Sequence, residues 1–97
     1  MRRVVFSHEA QERLEVQIEY LLDRGAPGAA RTLRHRVDAF LSNILTRFPG
    51  TGAYIQQKDL WESWIPRTRL VVWYRFDDDA LQVVTVWHTS QDRQSAP

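Results

Sequence analysis

The apolar residues of this chain change their period once, at the segment Pro49-Gly50-Thr51-Gly52. Before this break they recur every three or four positions, as on one face of a helix. After it, runs rich in valine and aromatic residues alternate with polar ones, which is typical of strands. The sequence therefore predicts a helical half packed against a sheet half, an α+β arrangement.

The helical half divides into a short strand and two helices. Residues 3–6 predict the strand, and Ser7 predicts the N-cap of a first helix that ends at Gly25 and Pro27. A second helix follows at once, and Pro49 stops it. Its predicted buried stripe comprises Ala30, Leu33, Val37, Phe40, Leu41, Ile44 and Phe48. Two amphipathic helices with so short a linker form an antiparallel hairpin.

The sheet half contains three predicted strands, at residues 60–65, 69–76 and 81–88, with an aspartate-rich turn between the last two. This turn places Phe76 opposite Leu81 and, continued along the ladder, Arg69 opposite His88. The predicted fold class is α+β: a small antiparallel-rich β-sheet backed on one face by an α-helical hairpin, in the order β-α-α-β-β-β.

The predicted register divides the last two strands into two faces. The face suited to the helices carries Leu70, Val72, Tyr74, Phe76, Leu81, Val83, Thr85 and Trp87. The other face carries Arg69, Val71, Trp73, Arg75, Gln82, Val84, Val86 and His88. Its apolar centre predicts an exposed patch of the kind that marks partner surfaces, and it could also pair with a second copy of the chain. The alternative is that a loop, or the segment 54–59, folds over it.

Length and composition exclude several classes of protein. At 97 residues the chain predicts a single domain, 1–97, with a frayed tail at 94–97. The absence of cysteine excludes disulfides, thiolate zinc sites and cysteine nucleophiles. No apolar run is long enough for a membrane span and the N-terminus does not fit a signal peptide, so we expect a cytoplasmic protein. No metal or cofactor is expected, because neither histidine spacing nor a glycine-rich loop fits one.

Arg69 and His88 are the pair of residues best suited to chemistry. A neutral histidine can take a proton from a hydroxyl, and an arginine can hold a phosphate oxygen. The structural alternative for His88 is a strand-end histidine bonded to backbone. A net charge of +1 argues against non-specific binding to duplex nucleic acid.

Several motifs occur together in a fixed order. They are Val-Val-Phe-Ser at 4–7, Ala-Ala-Arg at 29–31, Pro-x-x-Gly at 49–52, an Arg-hydrophobic-Tyr-Arg strand at 69–75, and a terminus at 88–93 that begins with histidine. This combination resembles the RelE/ParE superfamily, the toxin half of bacterial type II toxin–antitoxin modules of the plasmid stabilisation type. The resemblance implies a cognate antitoxin whose C-terminal segment wraps the toxin.

The resemblance also implies two alternative targets. RelE-like members cleave mRNA on the ribosome, whereas ParE-like members poison DNA gyrase and have no recognised catalytic site. Gln91 stands where the family usually has arginine, although Asp92 is kept and Arg93 follows. Lys58 is the chain's single lysine, so the lysine-rich middle of the ribosome-dependent nucleases is missing. A ParE-like gyrase inhibitor is therefore favoured.

Two alternative functions stay open, and so does the question of whether the protein is an enzyme. One is an mRNA endonuclease with His88, Arg69 and Arg93 as catalytic residues. The other is a degenerate, non-toxic binding module or co-repressor. The expected residues for binding a target or antitoxin are Arg67, Val71, Trp73, Arg75, Val84, Val86, Gln91 and Asp92.

Overall fold

The computed structural model describes residues 2–90, which form two α-helices and one five-stranded sheet. In chain order the elements are β1 (Arg3–Phe6), α1 (His8–Asp23), α2 (Pro27–Phe40), β2 (Ala53–Ile55), β3 (Leu60–Trp64), β4 (Leu70–Phe76) and β5 (Ala80–His88). The α+β class and the predicted element order are confirmed. The structure adds β2, a three-residue strand ahead of the three predicted ones.

The sheet has the spatial order β1-β5-β4-β3-β2. β1 runs parallel to β5, and the other neighbouring strands are antiparallel. The aspartate turn forms as an Asx turn, in which Asp77 Oδ1 accepts hydrogen bonds from the N–H groups of Asp79 and Ala80, each 2.8 Å long. This turn sets Phe76 opposite Leu81, as predicted.

The start of α1 and the turn between the two helices lie where the sequence predicts them. Ser7 Oγ accepts a hydrogen bond from the Ala10 N–H at 2.9 Å, so it is the N-cap of α1. Gly25 has a φ of 74°, which suits glycine where α1 ends, and Pro27 starts α2. The two helices cover one face of the sheet. The core between these layers is formed by Ala10, Leu14, Ile18, Ala30, Val37, Leu41, Leu45, Ile65, Leu70, Val72, Tyr74, Leu81, Val83 and Val86.

The end of the second helix differs from the prediction. A π turn, Leu41–Leu45, continues α2 and adds one residue to the helical turn. Leu45 is therefore buried in the core, whereas Ile44 and Phe48 are 42% and 59% exposed. Their predicted place on the buried stripe is wrong, because a regular 3.6-residue period does not continue through a π turn.

A β-bulge changes the second half of the β4–β5 ladder. Tyr74 pairs with Val83 but Trp73 pairs with Thr85, so Val84 is an extra residue in β5. Beyond the bulge, the predicted faces of β5 are reversed. Thr85 and Trp87 lie on the face away from the helices, which we call the outer face. Val86 lies in the helix-side core.

A search of the described residues found no helix with the length and apolar character that a membrane crossing requires.

Candidate partner-binding groove

Half of one β5 edge has no neighbouring strand. β1 pairs only with the first four residues of β5, from Ala80 to Val83. At Ser7 the chain leaves the sheet and turns into α1. Among residues 2–90, no other strand pairs with residues 85–88 on that side. Such an unpaired edge presents backbone donors and acceptors to which an extended segment of another chain can add.

Ser7 fixes the point at which this edge opens. Its N–H donates to the Val83 carbonyl at 2.9 Å, and its hydroxyl donates to the Val84 carbonyl at 2.6 Å. The same hydroxyl oxygen caps α1. One residue, through its backbone N–H and its hydroxyl, therefore joins the last residue pair of β1, the bulge in β5 and the first turn of α1.

A groove runs along α1 beside this open edge. Three adjoining depressions form it: Gln17 lines all three of them, and Val16 and Tyr20 each line two. The remaining lining residues of the three depressions are Glu9, Glu12, Arg13, Leu21, Leu33, Arg69, Leu70, Val86, Trp87, His88 and Ser90. We call this feature the α1–β5 groove.

The α1 wall of the groove is apolar and exposed. Val16 is 60% exposed and Tyr20, one helical turn later, is 54% exposed. The Arg24 guanidinium lies 4.8 Å from the centroid of the Tyr20 ring, a cation–π contact that orients the phenol. Charged side chains border the other end of the groove, where Glu9 and Arg13 form an i,i+4 pair. An apolar wall with a charged end suits a protein partner.

The sequence alone did not identify this wall, although a signal was present. The buried residues of α1 are Ala10, Leu14 and Ile18. Val16 and Tyr20 lie off this stripe, on a part of the helix that is otherwise rich in glutamate and glutamine. Apolar side chains on the polar face of an amphipathic helix are a sign of a second contact surface.

His88 and Arg69 both line the end of the groove, but not as the predicted cross-strand pair. His88 faces Leu70 across the ladder, because the bulge at Val84 advances the register by one residue. The two candidate residues therefore meet around a depression of about 220 Å³ beside Tyr20 and not on the outer face. The predicted position of His88 on the outer face is wrong for the same reason.

The His88 ring is held by the residues that follow it. The Ser90 N–H donates to His88 Nδ1 at 3.0 Å, and the Ser90 hydroxyl lies 2.7 Å from the same nitrogen. Because Nδ1 accepts a hydrogen bond from a backbone amide, the neutral ring carries its own hydrogen on Nε2. In this arrangement the ring is poorly set to accept a proton from a substrate hydroxyl.

The outer face is covered by the chain itself. Val71 and Trp73 are buried, with exposures of 0% and 6%, and Val86 is buried on the helix side of the sheet. The predicted exposed patch at these residues is therefore wrong. The alternative, that residues 54–59 fold over this face, is correct for Lys58, whose Nζ lies 5.4 Å from the Trp73 ring centroid. Ile55 also packs against this cluster, as does the half-buried bulge residue Val84.

Arg75 has a structural role in that cover. Its Nε donates to the Asp59 carbonyl at 3.0 Å and its Nη2 to the Lys58 carbonyl at 3.4 Å. The guanidinium thus holds the β2–β3 turn against the sheet. The exposed side chain of Arg67 lies at the opposite end of β4, in the β3–β4 turn.

Glu62 is a buried carboxylate that the sequence analysis did not select. It is 8% exposed, and its Oε2 accepts a hydrogen bond from Trp73 Nε1 at 2.8 Å. Its position between tryptophans in β3 was the available signal, since an acid on a covered strand face needs a partner. Tyr74 is likewise internal: its hydroxyl donates to the Pro49 carbonyl at 2.6 Å, and burial raises the pKa of the phenol.

The remaining candidate residues, Gln91, Asp92 and Arg93, lie outside the described residues. Within residues 2–90, no group of three or more histidine, aspartate or glutamate side chains is arranged to hold a metal ion. The described part of the groove therefore offers apolar contact, an open strand edge and a few charges.

Comparison with known proteins places this geometry in a family. The sequence matches the family model described as "ParE toxin of type II toxin-antitoxin system, parDE" over residues 4–93. The fold is similar to a solved structure titled "Chromosomal ParDE TA system from P. aeruginosa", with a TM-score of 0.68 and 12% sequence identity. That match covers 91% of this chain and 96% of the other. No curated protein matches the sequence.

Proposed function

The chain belongs to the ParE toxins of type II toxin–antitoxin systems, and from this premise we propose that a cognate antitoxin neutralises it and that it inhibits DNA gyrase. The two parts of the proposal concern different surfaces and different experiments. We assign antitoxin binding to the α1–β5 groove. We propose that the toxin inhibits gyrase by binding to it, without cleaving RNA.

The groove supports an antitoxin site because it combines two kinds of contact. Residues 85–87 offer backbone hydrogen bonds to an added strand, and Val16 and Tyr20 offer apolar area beside it. An extended antitoxin segment would gain affinity from the backbone bonds and specificity from the side chains that enter the groove.

Substitution of the groove wall tests this assignment. Val16→Asp combined with Tyr20→Ser should abolish co-purification with the antitoxin encoded by the neighbouring reading frame, because a charge then replaces apolar contact. Leu22→Asp is the matched control, since Leu22 is 49% exposed on the same helix but does not line the groove. If the double variant co-purifies as well as the wild type, the antitoxin binds elsewhere.

The state of His88 is the observation that carries the gyrase proposal. Cleavage of RNA needs a base for the 2′-hydroxyl, and the ring nitrogen that could serve, Nδ1, accepts the Ser90 N–H. The other candidates on β4 are committed to structure, because the Tyr74 hydroxyl bonds Pro49 and the Arg75 guanidinium bonds the β2–β3 turn. The absence of a poised base among residues 2–90 supports a toxin that acts by binding.

A supercoiling assay tests the gyrase proposal directly. Purified toxin should inhibit supercoiling by purified gyrase, and toxin mixed beforehand with its antitoxin should not. Undiminished supercoiling at a large molar excess of toxin would remove gyrase as the target.

The mRNA endonuclease is the second candidate, and one observation favours it. His88, Arg69 and the Tyr20 side chain line the same depression, so an imidazole, a guanidinium and a phenol are close together. This candidate predicts that His88→Ala abolishes both growth arrest and codon-dependent cuts in mRNA. A His88→Ala variant as toxic as the wild type excludes it, and a wild type that is harmless without its antitoxin favours the non-toxic binding module.

A further inference from the structure

The π turn at the end of α2 moves two large apolar side chains to the surface. The Thr46 N–H bonds the Leu41 carbonyl at 3.1 Å, five residues earlier, which is the defining bond of a π turn. Thr46 is itself buried and its hydroxyl donates to the Ser42 carbonyl at 2.6 Å. The Arg2 guanidinium donates to the Thr46 carbonyl at 3.0 Å. The widened turn is thus fixed by several bonds.

The result is an exposed apolar pair. Phe48 N–H bonds the Ile44 carbonyl at 2.8 Å, so the two residues lie one turn apart on the same side of the helix end. A straight α-helix would place both beside Val37 and Leu41 in the core. The chain instead buries Leu45 and leaves Ile44 and Phe48 in contact with water. Exposed apolar area held in place in this way is a mark of an interaction surface.

Ile44 of this pair also lines a depression of about 260 Å³. Its lining is formed by His35, Arg36, Ala39, Phe40, Asn43, Ile44, Pro66 and Arg67, all within the described residues. The floor is apolar and the rim is basic, with no carboxylate in the lining. Arg36 Nη1 donates to the Arg67 carbonyl at 2.8 Å, which holds the guanidinium across the depression. We call Arg36, Phe40, Ile44, Phe48 and Arg67 the π-turn patch.

The charge of the patch indicates the chemistry of its partner. Residues 25–50 contain four arginines and one acidic residue. Guanidinium groups on the rim suit carboxylates, and the apolar floor suits an aliphatic or aromatic side chain between them. A nucleic-acid backbone would satisfy the rim but leave the apolar floor uncovered. An acidic protein segment with one apolar anchor fits both.

We infer that the π-turn patch is the surface through which this toxin docks on an acidic, apolar-anchored segment of its protein target. The inference rests on the proposed function, in which the toxin binds a target protein and the antitoxin occupies the α1–β5 groove. The patch and the groove share no lining residue. The two surfaces can therefore be altered separately.

Two patch variants and two control variants test the inference. The patch variants are Phe48→Ser and Arg67→Glu, which remove one member of the apolar pair and reverse one rim charge. The controls are Trp64→Ser, at a residue 62% exposed on β3, and Arg31→Glu, at an exposed arginine of α2 outside the depression. Each protein is assayed for supercoiling inhibition, for binding to immobilised gyrase, for co-purification with the antitoxin and for growth arrest.

The expected result is a separation of the two binding activities. The patch variants should need at least about tenfold more protein for half-inhibition and bind gyrase correspondingly more weakly. They should keep wild-type co-purification with the antitoxin, which also shows that they fold. The controls should behave like the wild type in every assay.

The other outcomes distinguish the inference from the proposed function. If wild-type toxin inhibits gyrase and the patch variants inhibit it equally, the inference is overturned and the proposed function stands. If wild-type toxin leaves gyrase unaffected, the gyrase proposal fails and growth arrest tests the inference instead. Patch variants that are as toxic as the wild type overturn the inference. Patch variants that lose toxicity but still bind the antitoxin support docking on another target protein. If the patch variants lose antitoxin binding, or lose nucleic-acid binding in a gel-shift assay, the patch is assigned to that ligand and the inference is overturned.

Discussion

Gly52 occupies a position where no side chain fits. A β-carbon added at Gly52 would lie 2.5 Å from the Tyr74 hydroxyl and 2.6 Å from the Glu62 carbonyl oxygen. The hydroxyl cannot move away freely, since it bonds the Pro49 carbonyl. The Pro-x-x-Gly break thus has a physical cause: Pro49 supplies the acceptor, and Gly52 leaves room for the tyrosine that reaches it.

Gly52→Ala should therefore destabilise the protein by about 1–3 kcal/mol, the usual cost of forcing extra volume into a packed site. Urea denaturation measures the change in the free energy of unfolding. Gly50→Ala is the control, because a β-carbon there meets nothing within 4 Å. Equal denaturation midpoints for the two variants would contradict the steric explanation.

Asp77 links stability to pH through the turn before β5. Hydrogen bonds from the N–H groups of Ala80 and Asp79 hold the pKa of its carboxyl below the ordinary value. The unfolded chain therefore takes up the proton more readily than the folded protein, and the stabilisation is lost as pH falls below about 4. Asp77→Ala should be less stable than the wild type at neutral pH, with the difference vanishing in strong acid.

Denaturation midpoints at several pH values check this expectation, with Asp78→Ala as the control in the same turn. Asp78 accepts no hydrogen bond from the Asp79 or Ala80 N–H, both of which bond Asp77. A difference between wild type and Asp77→Ala that persists unchanged to the lowest pH would show that the charge of Asp77 is not the cause.

At the scale of the elements, the π turn gives two neighbouring residues very different burial. Leu45 is fully buried and Ile44 is 42% exposed. Leu45→Ala should cost about 2–5 kcal/mol in the free energy of unfolding, as for other buried leucines, and Ile44→Ala should cost about 1 kcal/mol or less. The reverse order would place Ile44 in the core and exclude the π turn in solution. Thermal or urea denaturation of the two variants decides between these arrangements.

The elements also mark where sequence reasoning succeeds and where it stops. Ser7, Gly25 and Pro27 act through local backbone chemistry, so the helix boundaries were predictable. The π turn and the bulge at Val84 each insert one residue into a regular pattern. Both depend on contacts with distant elements, among them the bond from Arg2 to the π turn and the bonds from Ser7 to the bulge. Periodicity alone carries no information about such contacts.

At the scale of the whole molecule, one edge of β5 is paired along only half of its length. The amides of residues 85–87 that point away from β4 have no partner strand among the described elements. In the toxin alone we expect them to exchange hydrogen faster than the amides of β4, which is paired on both sides. Addition of the antitoxin should slow them by at least about tenfold. Unchanged exchange in a stable complex would mean that the antitoxin adds no strand at this edge.

At this scale the sequence predicted the class of fold and the family, because both depend on the order of motifs along the chain. Its prediction of an exposed apolar patch on the outer face is wrong. The predicted partner residues Val71 and Trp73 are buried, whereas Val16 and Tyr20 on α1 are exposed. The cover from Lys58, held through Arg75, depends on tertiary contacts to the β2–β3 turn and could not be deduced from alternation in a strand.

The extra residue at Val84 also governs how this strand can diverge. Deletion of that one position would straighten β5 but leave Thr85 opposite Trp73 and His88 opposite Leu70, so the residues after the bulge would keep their faces. The bulge thus absorbs one extra residue without moving those that follow it, whereas the same residue taken into a straight ladder would exchange the two faces of the strand from that point on. In a relative whose last strand runs straight, the histidine that occupies the same point in space stands one place earlier in the sequence.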